Sequence, residues 1–539
     1  MDDSGLYNRL AGVLSKISAF FRFLRGKRKA LNTYMHGKYS STMIGICAAA
    51  SCALLLIIML FLPPYLGVAG DGSIAMAKVM NASGLAYLPK DAGKVYNDYY
   101  IRTYQQISPT ETSRSVHIAF IKAAVLLDSL FTRDSLFDFR FLALLYGLLY
   151  IPAVGILIKE AASRVVYFSE SVAVGLLGVV IFADVSYITY FSSFYPEALW
   201  YVLLIYAVAA AAGFQEERKS SLAFLAVFTA AGVLLCLTRR QCAMLGLLMA
   251  AFLLKQLVIK KELTWRILTV ASSAVLIAAC LFSQFELPDD FTQTNKLHAM
   301  TRGVLLQSEN PEETLAEFGI DPRYSILTDI STYDYYPFVE GEGTVLKRDF
   351  LDRYNTFDVS MHYLRHPFSL VAMLDLSVKA SMSVTRSYCG NFEESTGMPK
   401  MAKSIFWSAF SIFKDRSAPK TIGFVAVLVI GYLSLLSRGL SLRRRRIRKR
   451  SVMLDLMVML TVMGLAQAFL IIVKSGDAEM IRYGFFVGAS IDLLIFFVLA
   501  ELLHKLNILE SGEAPEEIPP TAPERNKTDR KSWKVWSSR

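Results

Sequence analysis

Asp71 is the first residue whose type and setting could do chemistry. It lies in the run Gly70-Asp71-Gly72-Ser73, just beyond the first long apolar segment, where small neighbours would let a bulky ligand approach the carboxylate. Asp-Gly is also an ordinary turn dipeptide, so a solvated turn is the alternative interpretation.

A second candidate is a group of hydroxyl side chains that ends in a carboxylate. Its members are Tyr187, Tyr190, Ser192, Ser193, Tyr195 and Glu197. Tyrosines are common at the surface of a membrane, which is the simpler explanation of the aromatic residues. Glu197 begins an apolar segment, where a charge is costly, and we therefore select Tyr195 and Glu197 as ligand-binding candidates.

Cations beside other apolar segments are typical of an anion site. Arg239 and Arg240 are adjacent, and two guanidinium groups can donate paired hydrogen bonds to a phosphate or diphosphate. Contact with lipid headgroups, without further function, is the alternative. Lys296 follows a later apolar segment, and the turn between the last two such segments carries Asp477 and Arg482. We predict that these residues form one outward-facing site with the carboxylates named above.

The composition indicates which elements must position these residues. The 539-residue chain is 54% hydrophobic and 19% charged, with a mean hydropathy of +0.40, and these values exclude an ordinary water-soluble globule. Its uncharged apolar runs approach the length of about 20 residues that crosses a bilayer, so we predict an all-α polytopic membrane protein. The six cysteines lie mostly inside apolar runs without paired spacing, which predicts no disulfide framework and no zinc site.

About ten transmembrane helices are predicted from the apolar segments and the positive charges. Their approximate bounds are 43–62, 139–158, 165–186, 197–214, 220–238, 241–259, 266–285, 421–437, 452–473 and 483–504. Lysine and arginine favour the cytoplasmic side, so the basic runs at 22–29 and 443–450 place both termini in the cytoplasm. Residues 117–131 are amphipathic, and we predict that they lie along the outer surface; if they crossed, later basic loops would fall outside.

The predicted domains follow from these segments. Residues 1–42 form a basic cytoplasmic N-terminus, and residues 43–285 form a transmembrane module whose first external loop, 63–138, contains Asp71. Residues 286–420 are too long and polar for a simple connection and are predicted to form a small mixed external domain with juxtamembrane helices. Residues 421–504 contain the C-terminal transmembrane helices, and 505–539 form a disordered cytoplasmic tail.

The order of several short motifs resembles that of the GT-C glycosyltransferases. The motifs are Asp138-Phe139-Arg140, Phe191-Ser192-Ser193-Phe194-Tyr195-Pro196-Glu197-Ala198, Asn295-Lys296 followed by Arg302-Gly303-Val304-Leu305, Asn310-Pro311-Glu312-Glu313, and Gly476-Asp477 with Arg482-Tyr483-Gly484-Phe485. With an acidic residue in the first external loop and a late external domain, the chain is similar to the bacterial cell-surface glycan hexosyltransferases of that superfamily and to protein O-mannosyltransferase-like enzymes. The likeness covers residues 43–504.

That resemblance implies a membrane hexosyltransferase of the cell envelope. The donor would be a polyprenyl-phosphate sugar, and the acceptor a glycan or lipid-linked saccharide on the outer face of a bacterial inner membrane. Asp71 would be the general base of an inverting displacement, while Arg239, Arg240, Lys296 and Arg482 would stabilise the departing phosphate. The sequence requires no cofactor, although Mg²⁺ or Mn²⁺ is compatible with such a site. It carries no nucleotide-binding motif, and nucleic acid is not an expected partner.

Two other functions are consistent with the sequence. A polysaccharide polymerase or O-antigen ligase would depend on Arg302 or His362 instead of Asp71, so substitutions at these positions separate it from the glycosyltransferase. A flippase or transporter of lipid-linked sugars would need ionisable residues at mid-membrane and broken helices. Asp492 lies within the last predicted helix, where it is either functional or paired with a buried arginine or hydroxyl.

Overall fold

The computed structural model describes most of the chain. The described residues are 23, 26–35, 39–165, 167–214, 220–258, 261–287, 293–331, 344–437, 444–478 and 480–511. For residues 344, 436–437, 444–451, 481–482 and 507–511 only the backbone is described. Much of the predicted N-terminal segment and of the predicted disordered tail therefore lies outside the described residues.

Helices make up most of the described structure. In chain order they are α1 (Ser41–Leu60), α2 (Ile74–Ser83), α3 (Val116–Phe131), α4 (Phe139–Ala162), α5 (Phe168–Phe182), α6 (Val185–Ile188), α7 (Glu197–Ala212), α8 (Ser221–Cys236), α9 (Ala243–Lys255), α10 (Leu263–Glu286), α11 (Gln293–His298), α12 (Pro311–Glu317), α13 (Thr344–Asp349), α14 (Thr356–Arg365), α15 (Pro367–Ser381), α16 (Ala409–Ser417), α17 (Ile422–Ser437), α18 (Arg444–Ser475), α19 (Met480–Tyr483) and α20 (Phe485–Ser511). A π-helical turn, Ala299–Val304, continues α11. A helix therefore occupies each position at which a transmembrane segment was predicted.

Six of these helical segments are long and apolar enough to cross a membrane. They are Ser41–Leu60, Phe139–Ala162, Arg240–Val258, Leu263–Glu286, Val452–Ser475 and Phe485–Leu506. Two bent pairs bring the number to eight if each is one span: α5 with the following short helices, bent by 47°, and α16 with α17, bent by 116°. The apolar helices α7 and α8 have only 16 residues each. The described chain is thus a mainly helical membrane protein with six to eight candidate spans.

Local sequence explains where the helices next to the candidate base begin. The hydroxyl of Ser40 accepts from the Met43 amide at the start of α1. The hydroxyl of Ser73 accepts in the same way from an amide in the first turn of α2. Asp138 caps α4 by accepting from the Arg140 amide. Glycines bring α1 and α4 together, since a Cβ on Gly45 would lie 2.6 Å from the Gly155 carbonyl oxygen. This close contact fixes the direction in which the chain leaves α1 toward Asp71.

The strands of the described chain form one small sheet in the first loop. β1 (Leu85–Ala86), β2 (Thr103–Gln106) and β3 (Leu136–Asp138) are antiparallel in the order β1-β2-β3, with Tyr104 opposite Phe137. Both rings are buried. Within residues 293–331 and 344–420, where mixed structure was predicted, the described elements are helices and turns. The sheet therefore shapes the loop that carries the candidate base.

The helix α7 is the most enclosed in the described structure. Every one of its residues except Tyr206 is buried. A helix that is apolar on all sides lies inside a bundle. Glu197 is its first residue and follows Pro196, and a carboxylate at a helix N-terminus is stabilised by the backbone amides there. The centre of the bundle thus presents one acidic group at its end.

Candidate functional site

Two loops that are far apart in sequence are joined beside the candidate base. The Ala69 amide donates to the Gly390 carbonyl over 2.9 Å, and the Asn391 side chain donates to the Gly67 carbonyl over 2.8 Å. Gly67 must be glycine at this contact, because a Cβ there would lie 2.2 Å from the ring of Tyr100. The pairing brings residues 386–391 against the loop that contains Asp71.

Arg386 bridges two of the predicted carboxylates. One terminal nitrogen of its guanidinium lies 3.0 Å from Asp71 Oδ2, and the other lies 3.1 Å from Glu197 Oε1. The ring of Tyr195 packs against the guanidinium with 3.9 Å between carbon Cζ and the ring centroid. Tyr195 also donates its hydroxyl hydrogen to the Ala69 carbonyl over 3.0 Å. The structure therefore brings Asp71, Tyr195 and Glu197 together around one cation.

This cluster is shielded from solvent and carries an excess of acidic groups. The side chains of Arg386 and Glu197 are each 1% exposed, and that of Asp71 is 7% exposed. One guanidinium faces two carboxylates, and Glu197 Oε2 makes no hydrogen bond within the described residues. A buried acceptor without a donor is costly, so this oxygen is suited to bind a hydroxyl or another donor of a ligand.

The Asp71 side chain is also fixed from its own loop. Its Oδ1 accepts from the Ser73 amide over 3.0 Å, and Gly72 takes a left-handed conformation with φ of 65° that favours glycine. Tyr87 stacks on Tyr96 with 4.1 Å between ring centroids. Burial raises the pKa of Tyr87, and the nearby Tyr96 and Asp71 add to that rise. Tyr87 therefore remains a neutral phenol beside the carboxylate at physiological pH.

Arg239 lies at the same end of α7 as this cluster. Its guanidinium is 5.8 Å from the ring of Trp200, one turn beyond Glu197, and 5.6 Å from the ring of Tyr483. Close by, the pKa of His117 is lowered to about 4, mainly by burial and to a smaller extent by the charge of Arg239. His117 Nε2 lies 2.9 Å from the Phe194 carbonyl; because a carbonyl oxygen only accepts, this nitrogen is the donor.

A family comparison adds to this geometry. The model of the YfdI N-terminal transmembrane domain matches residues 29–519. The chain belongs to this family. The matched range contains both joined loops and every residue of the site described above. Separate searches of the curated proteins and of the solved structures each found no significant match. This YfdI-family chain is therefore an integral membrane protein, as its apolar helices independently indicate.

Tyr483 extends the Arg239 region of the YfdI-family protein toward the last hairpin. A small cavity there is lined by the side chains of Gln241, Lys474 and Tyr483, among others. Arg239 thus lies near the ring of Tyr483, and Lys474 lines the cavity beside that ring. Arg482 was also predicted here; it lies in α19, but its side chain is outside the described residues.

Two of the predicted cations make their described contacts elsewhere. Arg240 donates from Nε to Gln284 on α10 over 3.3 Å. Lys296 lies over the ring of Tyr354 with 5.0 Å from Nζ to the centroid, and burial lowers the pKa of Lys296. Both of these contacts lie outside the Asp71 cluster.

Asp477 belongs to a separate ion pair. Arg302 donates to both of its carboxylate oxygens over 2.6 and 3.1 Å and also lies 2.9 Å from Asp329 Oδ1. The turn before Asp477 is tightly packed, since a Cβ on Gly476 would lie 2.7 Å from the Gly303 amide nitrogen. Asp477 therefore fastens this turn to the π-helical turn, and its predicted role in ligand binding stays a prediction.

Asp492 is paired in the YfdI-family structure. Lys414 Nζ lies 2.8 and 2.9 Å from its two oxygens, and the Tyr187 hydroxyl donates to Oδ2. Both charged side chains are almost fully buried. The expected hydroxyl partner of Asp492 is therefore present, whereas the buried cation is Lys414 and not the predicted arginine.

Proposed function

We propose that this YfdI-family protein is a GT-C-type hexosyltransferase that transfers a sugar from a polyprenyl phosphate to a cell-surface glycan or lipid-linked acceptor. The observation that carries the proposal is the Asp71–Arg386–Glu197 cluster at the same end of α7 as Arg239. A carboxylate for the acceptor hydroxyl and a cation for the leaving phosphate are the two groups that such a transfer needs.

Asp71 is the proposed general base. An acceptor hydroxyl oxygen attacks the anomeric carbon from the face opposite the phosphate and forms the new C–O bond. The bond from that carbon to the phosphate oxygen breaks, the oxygen keeps the electron pair, and the hydroxyl proton passes to Asp71. A carboxylate oxygen has two lone pairs; Asp71 Oδ2 accepts from Arg386, and Oδ1 accepts from the Ser73 amide. The anomeric centre is inverted, because one displacement occurs.

Arg386 and Glu197 have supporting roles in this proposal. The guanidinium fixes the direction of the Asp71 carboxylate, because one of its terminal nitrogens lies 3.0 Å from Oδ2. Glu197 Oε2, which has no hydrogen-bond donor within the described residues, accepts from a hydroxyl of the sugar or the acceptor. Both residues thus position groups around the reacting hydroxyl.

A charged cleft beside the cluster is the proposed acceptor site. It has a volume of about 500 Å³ and is lined by the first loop and by residues 393–395 and 400. Tyr100 lines it and also packs against Gly67 of the joined loops. The lining combines hydroxyl groups with acidic and basic side chains, and neither positive nor negative charge dominates it. Such groups can bind the many hydroxyls of a saccharide. The acceptor would thus approach from this cleft toward Asp71.

The finer topology is part of the proposal. We infer ten transmembrane helices, an external domain over 286–420, cytoplasmic termini and a bacterial inner membrane. No cofactor is assigned to the transfer, and Mg²⁺ or Mn²⁺ would act only by adding positive charge at the phosphate. Binding partners other than donor, acceptor and membrane lipid are not part of the proposal.

The direct test is transfer by purified, reconstituted protein. It would be offered a panel of polyprenyl-phosphate hexoses with an extracted cell-surface glycan, and product linkage would be read by NMR. We expect transfer from one donor of the panel with an inverted anomeric centre. Movement of donor across vesicles without transfer would support the flippase, which the two bent helix pairs favour. Activity that needs a pyrophosphate-linked polymer would support the ligase.

Arg239→Gln should weaken transfer strongly at the donor step. A hydrogen bond to a charged group contributes about 1.5–3 kcal/mol, so we expect roughly a 10–100-fold loss of kcat/KM for the donor. Arg323→Gln is the matched control, because that guanidinium is 89% exposed and pairs with its neighbour Asp321. Equal activity of the two variants at limiting donor would remove Arg239 from the proposed phosphate site.

A further inference from the structure

Three metal-ligating side chains meet in the polar segment between α10 and α17. Glu317 is the last residue of α12, His362 lies in the last turns of α14, and His366 stands between α14 and α15. One ligand atom from each lies within 4.8 Å of the other two. Glu317 and His362 are separated by 45 positions, so the cluster joins two distinct helices of this segment.

His362 is directed at Glu317 without a normal hydrogen bond. Its side chain is 8% exposed, and Nδ1 lies 3.4 Å from Glu317 Oε2. Among the described residues this buried nitrogen has no hydrogen-bond partner of acceptable geometry. In a tetrahedral zinc site, two ligand atoms that are each 2.0–2.2 Å from the metal are about 3.4 Å apart. The separation is therefore long for a hydrogen bond and matches two ligands of one ion.

One ring nitrogen of His366 is fixed by the backbone. Its Nδ1 lies 3.0 Å from the His362 carbonyl oxygen, and the ring centroids of the two histidines are 4.2 Å apart. Because a carbonyl only accepts, Nδ1 carries the proton and Nε2 keeps a free lone pair. Histidines that bind metals usually donate their other ring nitrogen to a carbonyl or carboxylate in this way.

We propose that Glu317, His362 and His366 bind a zinc ion. Two imidazole nitrogens and one carboxylate oxygen suit zinc far better than magnesium or calcium, which prefer oxygen ligands alone. Three protein ligands leave a fourth position for water. The ion would join α12 to the end of α14, and it is independent of the proposed sugar transfer because none of its ligands belongs to the Asp71 cluster.

Zinc content of the purified full-length protein tests this site. The protein would be freed of metal with a chelator, incubated with one equivalent of Zn²⁺, desalted and assayed by mass spectrometry, and the affinity would be measured by competition with a chromogenic chelator. We expect about one zinc per chain. Loss of a ligand should weaken binding by more than the roughly 10–100-fold caused by loss of a residue that hydrogen-bonds to a ligand.

Glu317→Gln is the principal variant, because the side chain is 55% exposed and its loss should not impair folding. His366→Gln is the second, and His504→Gln is the matched control, since His504 pairs with Glu170 outside this segment. The proposal predicts weak zinc binding by the first two variants and normal binding by the control. Absence of zinc from the wild-type protein, or equal affinity of Glu317→Gln and wild type, would overturn it. Visible absorption typical of four-coordinate Co²⁺, in the wild type but not in Glu317→Gln, would support it.

Discussion

Asp71→Asn should reduce sugar transfer by about 10²–10⁴-fold, the range that a positioned general base contributes. Asparagine keeps the size of the side chain and an oxygen that can accept from Arg386, but it cannot take up the proton of the acceptor hydroxyl. Fold stability should change little in comparison. The measurement is the rate of transfer at saturating donor, together with the unfolding temperature in detergent.

Two further variants separate a catalytic role of Asp71 from a structural one. Glu111→Gln changes an exposed acid of the same loop and should keep full activity. Glu197→Gln removes the other negative charge bound by Arg386 and should leave more activity than Asp71→Asn. If Asp71→Asn and Glu197→Gln instead lost activity and unfolding temperature in parallel, the cluster would be a structural ion pair and the base would lie elsewhere.

Lys414→Met should destabilise the fold by about 3–5 kcal/mol, which is the usual effect of removing one partner of a buried ion pair. The change leaves the Asp492 carboxylate buried with the Tyr187 hydroxyl as its remaining described partner. We expect a lower yield of folded protein and a lower unfolding temperature. The double variant Lys414→Met with Asp492→Leu should recover much of the loss, because neither buried charge then remains.

The control for this prediction is a similar pair at the surface. Lys420 and Asp415 are 3.2 Å apart and are 33% and 49% exposed, so Lys420→Met should change stability by no more than about 1 kcal/mol. A Lys414→Met protein as stable as Lys420→Met would contradict the prediction. It would mean that Asp492 does not need its cation, and a role in transport would regain support.

The helices were predictable because the signal is local. Apolar runs of the length of a membrane core fix where helices form, and the predicted segment 43–62 corresponds to α1 at Ser41–Leu60. The break in the predicted segment 165–186 was not foreseen. There α5 ends at Phe182, and Asp184 accepts from the Ser186 amide to start a new short helix. One capping side chain inside an apolar run was enough to change the direction of the chain.

The candidate site was predictable only in part, for a related reason. Asp71, Tyr195 and Glu197 were selected because polar groups beside apolar segments are costly, and the structure brings these three together. Arg386 was missed because it is 315 positions from Asp71, and nothing in its neighbourhood distinguishes it from other loop arginines. Only the pairing of the two loops places it beside the carboxylates.

Neighbours in sequence can also diverge in space, as Arg239 and Arg240 demonstrate. Arg239 has an extended backbone, with φ of −154° and ψ of 146°, whereas Arg240 begins a tight helical turn. One side chain therefore reaches Trp200 and the other reaches Gln284. A pair that looks like one binding unit in the sequence is split by a single change of backbone conformation.

The junction between residues 67–69 and 390–391 also determines when the centre of the protein can be completed during biosynthesis. Arg386 is translated 189 residues after Glu197, which at ribosomal speed is a delay of roughly 10–40 seconds. Throughout that interval the acidic end of α7 lacks the guanidinium that neutralises it in the finished protein. These carboxylates must therefore stay hydrated while the early helices are inserted. Their contacts with Arg386 form only late in assembly.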